Sequence, residues 1–291
     1  MSILDHKIDF AVVLSVAKAN PNGDPLNGNR PRQNYDGYGE ISDVALKRKI
    51  RNRLQDMGES IFVQSNDRKL DSFHSLRERA EANPELGKIF KSKEGSSEEF
   101  ARMACQEWMD VRSFGQVFAF KAVGKGAGVS VGVRGPVSIH TAISVLPIDI
   151  TSMQITKSVN SEPGSEKGSD TMGMKHRVDF GVYVFKGSIN TQLAEKTGFT
   201  NEDAAKIREA LISLFENDVS SARPDGSMEV HKVYWWEHNS KLGKYSSAKV
   251  HRSLEVKPKE NVNTVDKSFD THYECILTPL EGLEVQEYAG L

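Results

Sequence analysis

"IDFAVVLSVAKANPNGDPLNGNRPRQNYDGYGEISDVALKRKIRNRLQDM" covers residues 8–57. Ile8 to Val16 is a short, β-branched apolar run and reads as a buried strand. A loop rich in Asn, Gly and Pro follows over 20–41. Ser42 is a good helix N-cap, and Asp43 suits the positive end of a helix. Residues 43–57 contain no Gly or Pro, and Gly58 stands where a helix stop is expected. The chain therefore opens strand, long loop, helix. Five of the seven residues 47–53 are Lys or Arg, although the whole chain has a formal net charge of only −2.

Outward from that opening, residues 59–110 are polar with helical patches and read as a helical insertion. Residues 111–150 turn β-like, rich in Val, Ile, Phe and Gly. Residues 151–176 read as a polar arm. "HRVDFGVYVFKGSIN" reads as a strand with Val178, Phe180, Val182 and Val184 on one face. "TNEDAAKIREALISLFEND" is the clearest helix, capped by Thr200 or Asn201. "SMEVHKVYWWEH" and "HYECILTP" supply later strands. Without the polar segments the order is β, α, β, β, α, β. That is the split βαβ or ferredoxin-like pattern, which RRM domains share. The expected fold class is α+β, an antiparallel sheet with helices on one face and the other face free to bind.

A chain of 291 residues with 38% apolar and 27% charged residues can bury a real core. No apolar stretch approaches the roughly 18 residues of a membrane span, and Met1 to Phe10 lacks the apolar block of a signal peptide. Two cysteines far apart, Cys105 and Cys275, fit a reducing, cytoplasmic setting better than a disulfide scaffold.

The candidate binding residues are basic and amide side chains. Lys47, Arg48 and Arg51 lie together beside the apolar stripe Leu46, Ile50, Leu54 and Met57. No acid falls between Asp43 and Asp56, so the cations call for an external anion such as a phosphate backbone; a solvated face is the alternative. The loop adds Arg30 and Arg32 with Asn20 and Asn22, and Gly23 and Gly28 admit close approach to a ligand, or build an ordinary turn. Lys125 and Arg134 flank a glycine cluster that is either a backbone contact or a plain connection. Lys157, Lys175, His176 and Arg177 belong to the polar arm, which lies along nucleic acid or a neighbouring subunit, or is a surface loop. Trp235 and Trp236 point to opposite faces of a strand, so one belongs to the core and the other to the core, an interface or a stacked base. "DFG" at 179–181 lacks the companion motifs of a kinase. The eight histidines show no metal-ligand spacing, so no catalytic residue, metal or cofactor is assigned.

"NPNGDPLNGNRPR", "GEISDVALKRKIRNRL", "DVRSFG", "VRGPVSIHTAIS", "TMGMKHRVDFGVYVF" and "WWEH" together resemble the Cas-seven family of the RAMP superfamily. Its members form the backbone of type I-C CRISPR surveillance complexes (Cascade). The resemblance runs through essentially the whole chain. It implies a modified RRM palm over 1–58 and 111–291, a helical fingers insertion over 59–110, and a protruding thumb over about 138–177, with 240–268 as a second thumb candidate. It implies a non-catalytic subunit that polymerises along crRNA while target DNA pairs with the exposed bases. The implied partners are crRNA, target DNA, further copies, and the guide-processing, large and small subunits, with no membrane. The alternatives are a RAMP-type endoribonuclease or target-RNA cutter using Asp170, and a structural oligomer without nucleic acid.

Overall fold

The computed structural model describes residues 2–91, 96–121, 128–159, 172–260 and 267–291. In chain order the strands and helices are β1 (Ile8–Ala19), β2 (Gly23–Asp24), β3 (Arg30–Pro31), β4 (Tyr38–Ile41), α1 (Asp43–Asp56), α2 (Leu76–Ala82), α3 (Pro84–Lys91), α4 (Ser97–Glu107), α5 (Met109–Phe114), β5 (Gly115–Phe120) and β6 (Val129–Arg134). There follow β7 (Val137–Ile139), β8 (Ala142–Pro147), β9 (Ile150–Thr156), β10 (Met172–Ile189), α6 (Thr191–Thr197), α7 (Asn201–Ile212), β11 (Met228–Glu237), α8 (Ser247–Arg252), β12 (Leu254–Pro258), α9 (Phe269–His272), β13 (Tyr273–Leu277) and β14 (Val285–Ala289). No described helix is long and apolar enough to cross a membrane.

The large sheet runs β14-β11-β1-β10-β8-β4, with β7 and β9 pairing β10 at its side. Every pairing in it is antiparallel. Its centre, β11-β1-β10-β8, threads β1, α1, β8, β10, α7 and β11, which is the β, α, β, β, α, β order of the sequence. Ser42 caps α1 through its side chain, and Thr200 caps α7 in a capping box with Asp203. Gly58, just past α1, takes φ +89°, the left-handed geometry that a glycine stop supplies.

Alternation along β1 decides both faces. Ile8, Phe10, Val12, Leu14 and Val16 share one core with Leu46, Ile50 and Leu54 of α1 and with Ile207 and Leu211 of α7. Ala11 and Val13 face a second core with Val250, Leu254, Phe269 and Tyr273. The expectation of a free second face is therefore corrected: at β1 the segment carrying α8, β12, α9 and β13 covers it. Both tryptophans are core, Trp235 on the first face against Phe10 at 5.7 Å and Trp236 on the second. Burying an aliphatic or aromatic side chain of this size stabilises by about 1.5–3 kcal/mol.

The β-like sequence after residue 111 divides. Met109 to Phe114 is helical, and β5 and β6 pack on the helices of the insertion rather than entering the sheet. There Phe62, Phe100, Trp108 and Phe118 form a separate core, with Phe62 and Trp108 centroids 4.4 Å apart. The described residues at the two ends of the polar arm form strands. Thr156 to Ile150 pair residue by residue with Met172 to Val178, giving a two-stranded ribbon. The described part of 240–268 lies on the sheet.

Candidate nucleic-acid interface

The basic run on α1 proves to be stitched into the protein. Lys47 pairs with Asp43 one turn earlier at 3.0 Å. Arg48 donates to the Val63 carbonyl at 2.7 Å. Lys49 is 5% exposed and pairs with Asp218. Arg51 Nε donates to Asp110 Oδ2 at 3.0 Å and the guanidinium lies 5.0 Å from the Phe114 ring centre. Arg53 Nε donates to the Ser213 hydroxyl at 2.8 Å. The premise that these five cations lack internal partners is corrected: the fold itself supplies them. Four of the five cations tie α1 to residues outside it, at 63, 110, 213 and 218.

Burial lowers the Lys49 ammonium from 10.5 to about 8, outweighing the attraction of Asp218. Between pH 8 and 10.5 the unfolded chain then binds more protons at this site than the folded one, so stability rises with pH across that window. We expect Lys49→Met to abolish that rise, measured by denaturation at pH 7, 8 and 10, and to leave stability at pH 7 unchanged or raised by about 1–3 kcal/mol. Asp218 keeps Arg223 at 3.0 Å, so the variant strands no buried charge.

The loop after β1 has a set shape. Asn20 is 5% exposed and donates its amide to the Asn29 carbonyl at 2.7 Å. Asn22 Oδ1 accepts from the backbone N–H of Ser42 at 2.9 Å, tying the loop to the N-cap of α1. Both asparagines therefore hold the loop. Gly28 and Asn29 sit at φ +57° and +60°, and β2 pairs with β3. A Cβ at Gly23 would collide with the Asn29 side chain, so that glycine makes room within the loop rather than for a ligand. Arg32 lies 3.6 Å from Asp24, a loose surface pair of small energetic weight.

Arg30 and the ribbon come together. Arg30 Nη1 donates to the Ser152 hydroxyl at 2.8 Å, and Ser152 Oγ lies 2.8 Å from His176 Nδ1. Ser152 and His176 are opposite each other in the β9–β10 ladder. By alternation, Met172, Met174 and His176 share the face that meets the loop, whereas Lys175 and Arg177 lie on the other. The ribbon also exposes large apolar groups: Ile155 at 48%, Met172 at 55% and Met174 at 56%. Arg30, Lys175 and Arg177 have no ion pair among the described residues, in contrast to Lys47, Lys49 and Arg51 of α1. The Arg177 Nε is enclosed without a hydrogen-bond partner.

The other sequence candidates fall elsewhere. Arg134 ends β6 and lines a cavity of about 450 Å³ with Arg102 and Lys196, on the insertion side. Lys157 follows β9 and is exposed. Lys125 and Asp170 lie outside the described residues. Asp179 of "DFG" accepts from the Thr151 hydroxyl at 2.8 Å, a bond that braces the base of the ribbon. Among the described residues no three His, Cys, Asp or Glu side chains are grouped to hold a metal. Ser152 carries no signal in the sequence alone; its register opposite His176 emerges only with the strand pairing.

A family model described as "CRISPR-associated protein Cas7" matches residues 6–276. A curated protein of Haloferax volcanii carrying that same description is 24% identical over 229 residues, covering 74% of this chain. The chain spans 66% of that relative's length. One chain of a solved "CRISPR RNA-guided surveillance complex, pre-nicking" aligns at TM-score 0.49 and 16% identity, over 79% of this chain and 75% of that one. A chain of a second "CRISPR RNA-guided surveillance complex" aligns at TM-score 0.41 and 17% identity, over 79% and 68%.

Proposed function

This chain belongs to the Cas7 family of CRISPR-associated proteins, and from that premise we propose that it is a non-catalytic backbone subunit that polymerises along crRNA in a type I-C surveillance complex. Several copies bind the spacer backbone, and target DNA pairs with the exposed bases. The guide-processing, large and small subunits complete the assembly in the cytoplasm. The observation that carries this reading is the set of cations around the ribbon, Arg30 on the face that meets the loop and Lys175 and Arg177 on the other, none of them paired with an acid among the described residues. Long-range attraction to phosphate accounts for such a group and reads no sequence. Sequence is left to base pairing, as in RNA-guided effectors generally. The ribbon's exposed Met172, Met174 and Ile155 suit contact with bases or with a neighbouring copy.

The test is co-expression with a CRISPR array and the partner subunits, followed by purification and imaging. The expected product contains RNA, shows a curved filament with one copy per fixed number of nucleotides, and leaves complementary RNA uncut. Purified protein without nucleic acid overturns the reading. So does RNA cleavage that disappears in Asp170→Ala.

A further inference from the structure

We infer that Ser152 is a positioning residue for anion binding: its hydroxyl clasps Arg30 of the loop to His176 of the ribbon and holds both in binding geometry. This inference rests on the reading of Arg30 as a phosphate contact and adds a residue to it. The geometry is specific. Arg30 lies 122 residues before Ser152, and its Nη1 reaches the Ser152 Oγ at 2.8 Å. His176 Nδ1 meets the same oxygen at 2.8 Å from directly across the ladder.

Hydrogen-bond chemistry fixes the Arg30 end of the clasp. A guanidinium only donates, so Ser152 Oγ accepts from Arg30. The bond between Ser152 Oγ and His176 Nδ1 can run either way, because a hydroxyl both donates and accepts. The far nitrogen of the ring, Nε2, lies on the side where Gly28 passes: a Cβ built at Gly28 would stand 4.0 Å from it. The clasp therefore presents the free N–H groups of Arg30 and the Nε2 edge of His176 toward the loop side. It also sits where the ribbon needs it. Val178 pairs with Ala19 of β1, but the residues from Met172 to Arg177 pair only with β9. Beyond the sheet, side-chain hydrogen bonds through Ser152 join ribbon to loop.

Arginine has several rotatable bonds, and ordering such a side chain on binding costs roughly 0.5–1.5 kcal/mol, equivalent to about a two- to tenfold change in affinity. Ser152 removes that cost in advance without adding charge. Two consequences separate positioning from phosphate contact. Ser152→Ala weakens binding while leaving the salt slope unchanged, because no cation is lost. Ser152→Thr, which keeps the hydroxyl, restores affinity.

The experiment titrates the full chain with a labelled single-stranded polyuridylate, across salt concentrations, for wild type, Ser152→Ala, Ser152→Thr, Arg30→Ala and Arg30→Ala/Ser152→Ala. The side chain is exposed, and a thermal melt checks that each variant is folded. The expected result is a loss of about two- to tenfold for Ser152→Ala, rescue by Thr, and no further loss when Ser152→Ala is added to Arg30→Ala. Equal loss in both backgrounds overturns the inference, because the effect then does not act through Arg30. Loss for Arg30→Ala with none for Ser152→Ala also overturns it and leaves the proposed function standing. Loss for neither variant overturns both the clasp and Arg30 as a phosphate contact.

Discussion

Asp110→Ala is expected to lower the unfolding free energy by about 3–5 kcal/mol, measured by chemical denaturation. Asp110 is fully buried at the start of α5. One oxygen accepts from the Phe62 backbone N–H at 2.7 Å; the other accepts from the Val63 N–H at 3.1 Å and from Arg51 Nε at 3.0 Å. A single carboxylate thus joins the basic helix of the sheet to the segment that opens the helical insertion. Removing it strands a guanidinium that is only 12% exposed, together with two backbone donors. Such losses cost far more than the net value of the bonds, because each group was desolvated on folding. Asp110→Asn is expected to be milder but still destabilising. Its oxygen can keep one amide, while its NH2 faces donors. Hydrogen exchange should show the loss concentrated between residues 59 and 134, where the insertion's own core lies. A change below about 1 kcal/mol in Asp110→Ala would contradict the view that α1's cations are structural.

The second large effect is on nucleic-acid affinity. Arg30→Ala/Lys175→Ala/Arg177→Ala is expected to weaken binding to single-stranded RNA and to reduce the slope of log affinity against log salt by about two units. Each phosphate contact on a single strand contributes about 0.7 to that slope through counterion release. The three cations lack carboxylate partners among the described residues, so their removal strands no buried acid and the variant should stay folded, losing no more than about 1–2 kcal/mol. Lys47→Ala serves as the contrast: its ammonium is held by Asp43 at 3.0 Å, and the salt slope should stay at the wild-type value. An unchanged slope in the triple variant, or a reduced slope in Lys47→Ala, would move the anion path back to α1.

Strand β1, helix α1 and helix α7 were legible because local signals define them: a β-branched run, Ser42 and Thr200 as caps, and Gly58 as a stop. Their order carried the sheet topology as well. Charge pairing is different. Asp43 lay within one helical turn of Lys47, but Asp110 is 59 residues from Arg51 and Asp218 is 169 from Lys49. Helical spacing cannot see partners at that distance, so a paired face looked unpaired. The covering of the second sheet face was hidden for the same reason. Val250, Leu254, Phe269 and Tyr273 are spread over a polar stretch whose apolar residues only line up once the chain folds back. The sequence of the ribbon shows a polar arm and not a pair of strands, because these segments are short of large buried side chains and both expose polar groups. Pairing there comes from the backbone ladder, which leaves little trace in hydrophobic patterning.

The most direct test is an electron-microscopy reconstruction of the protein assembled on its guide RNA, at a resolution that shows side chains and phosphates. Backbone phosphates are expected within hydrogen-bonding distance of Arg30 and of Lys175 or Arg177, with Lys49 and Arg51 still paired to Asp218 and Asp110. A phosphate seated on Lys49 or Arg51, with the loop and ribbon empty of RNA, would contradict that expectation.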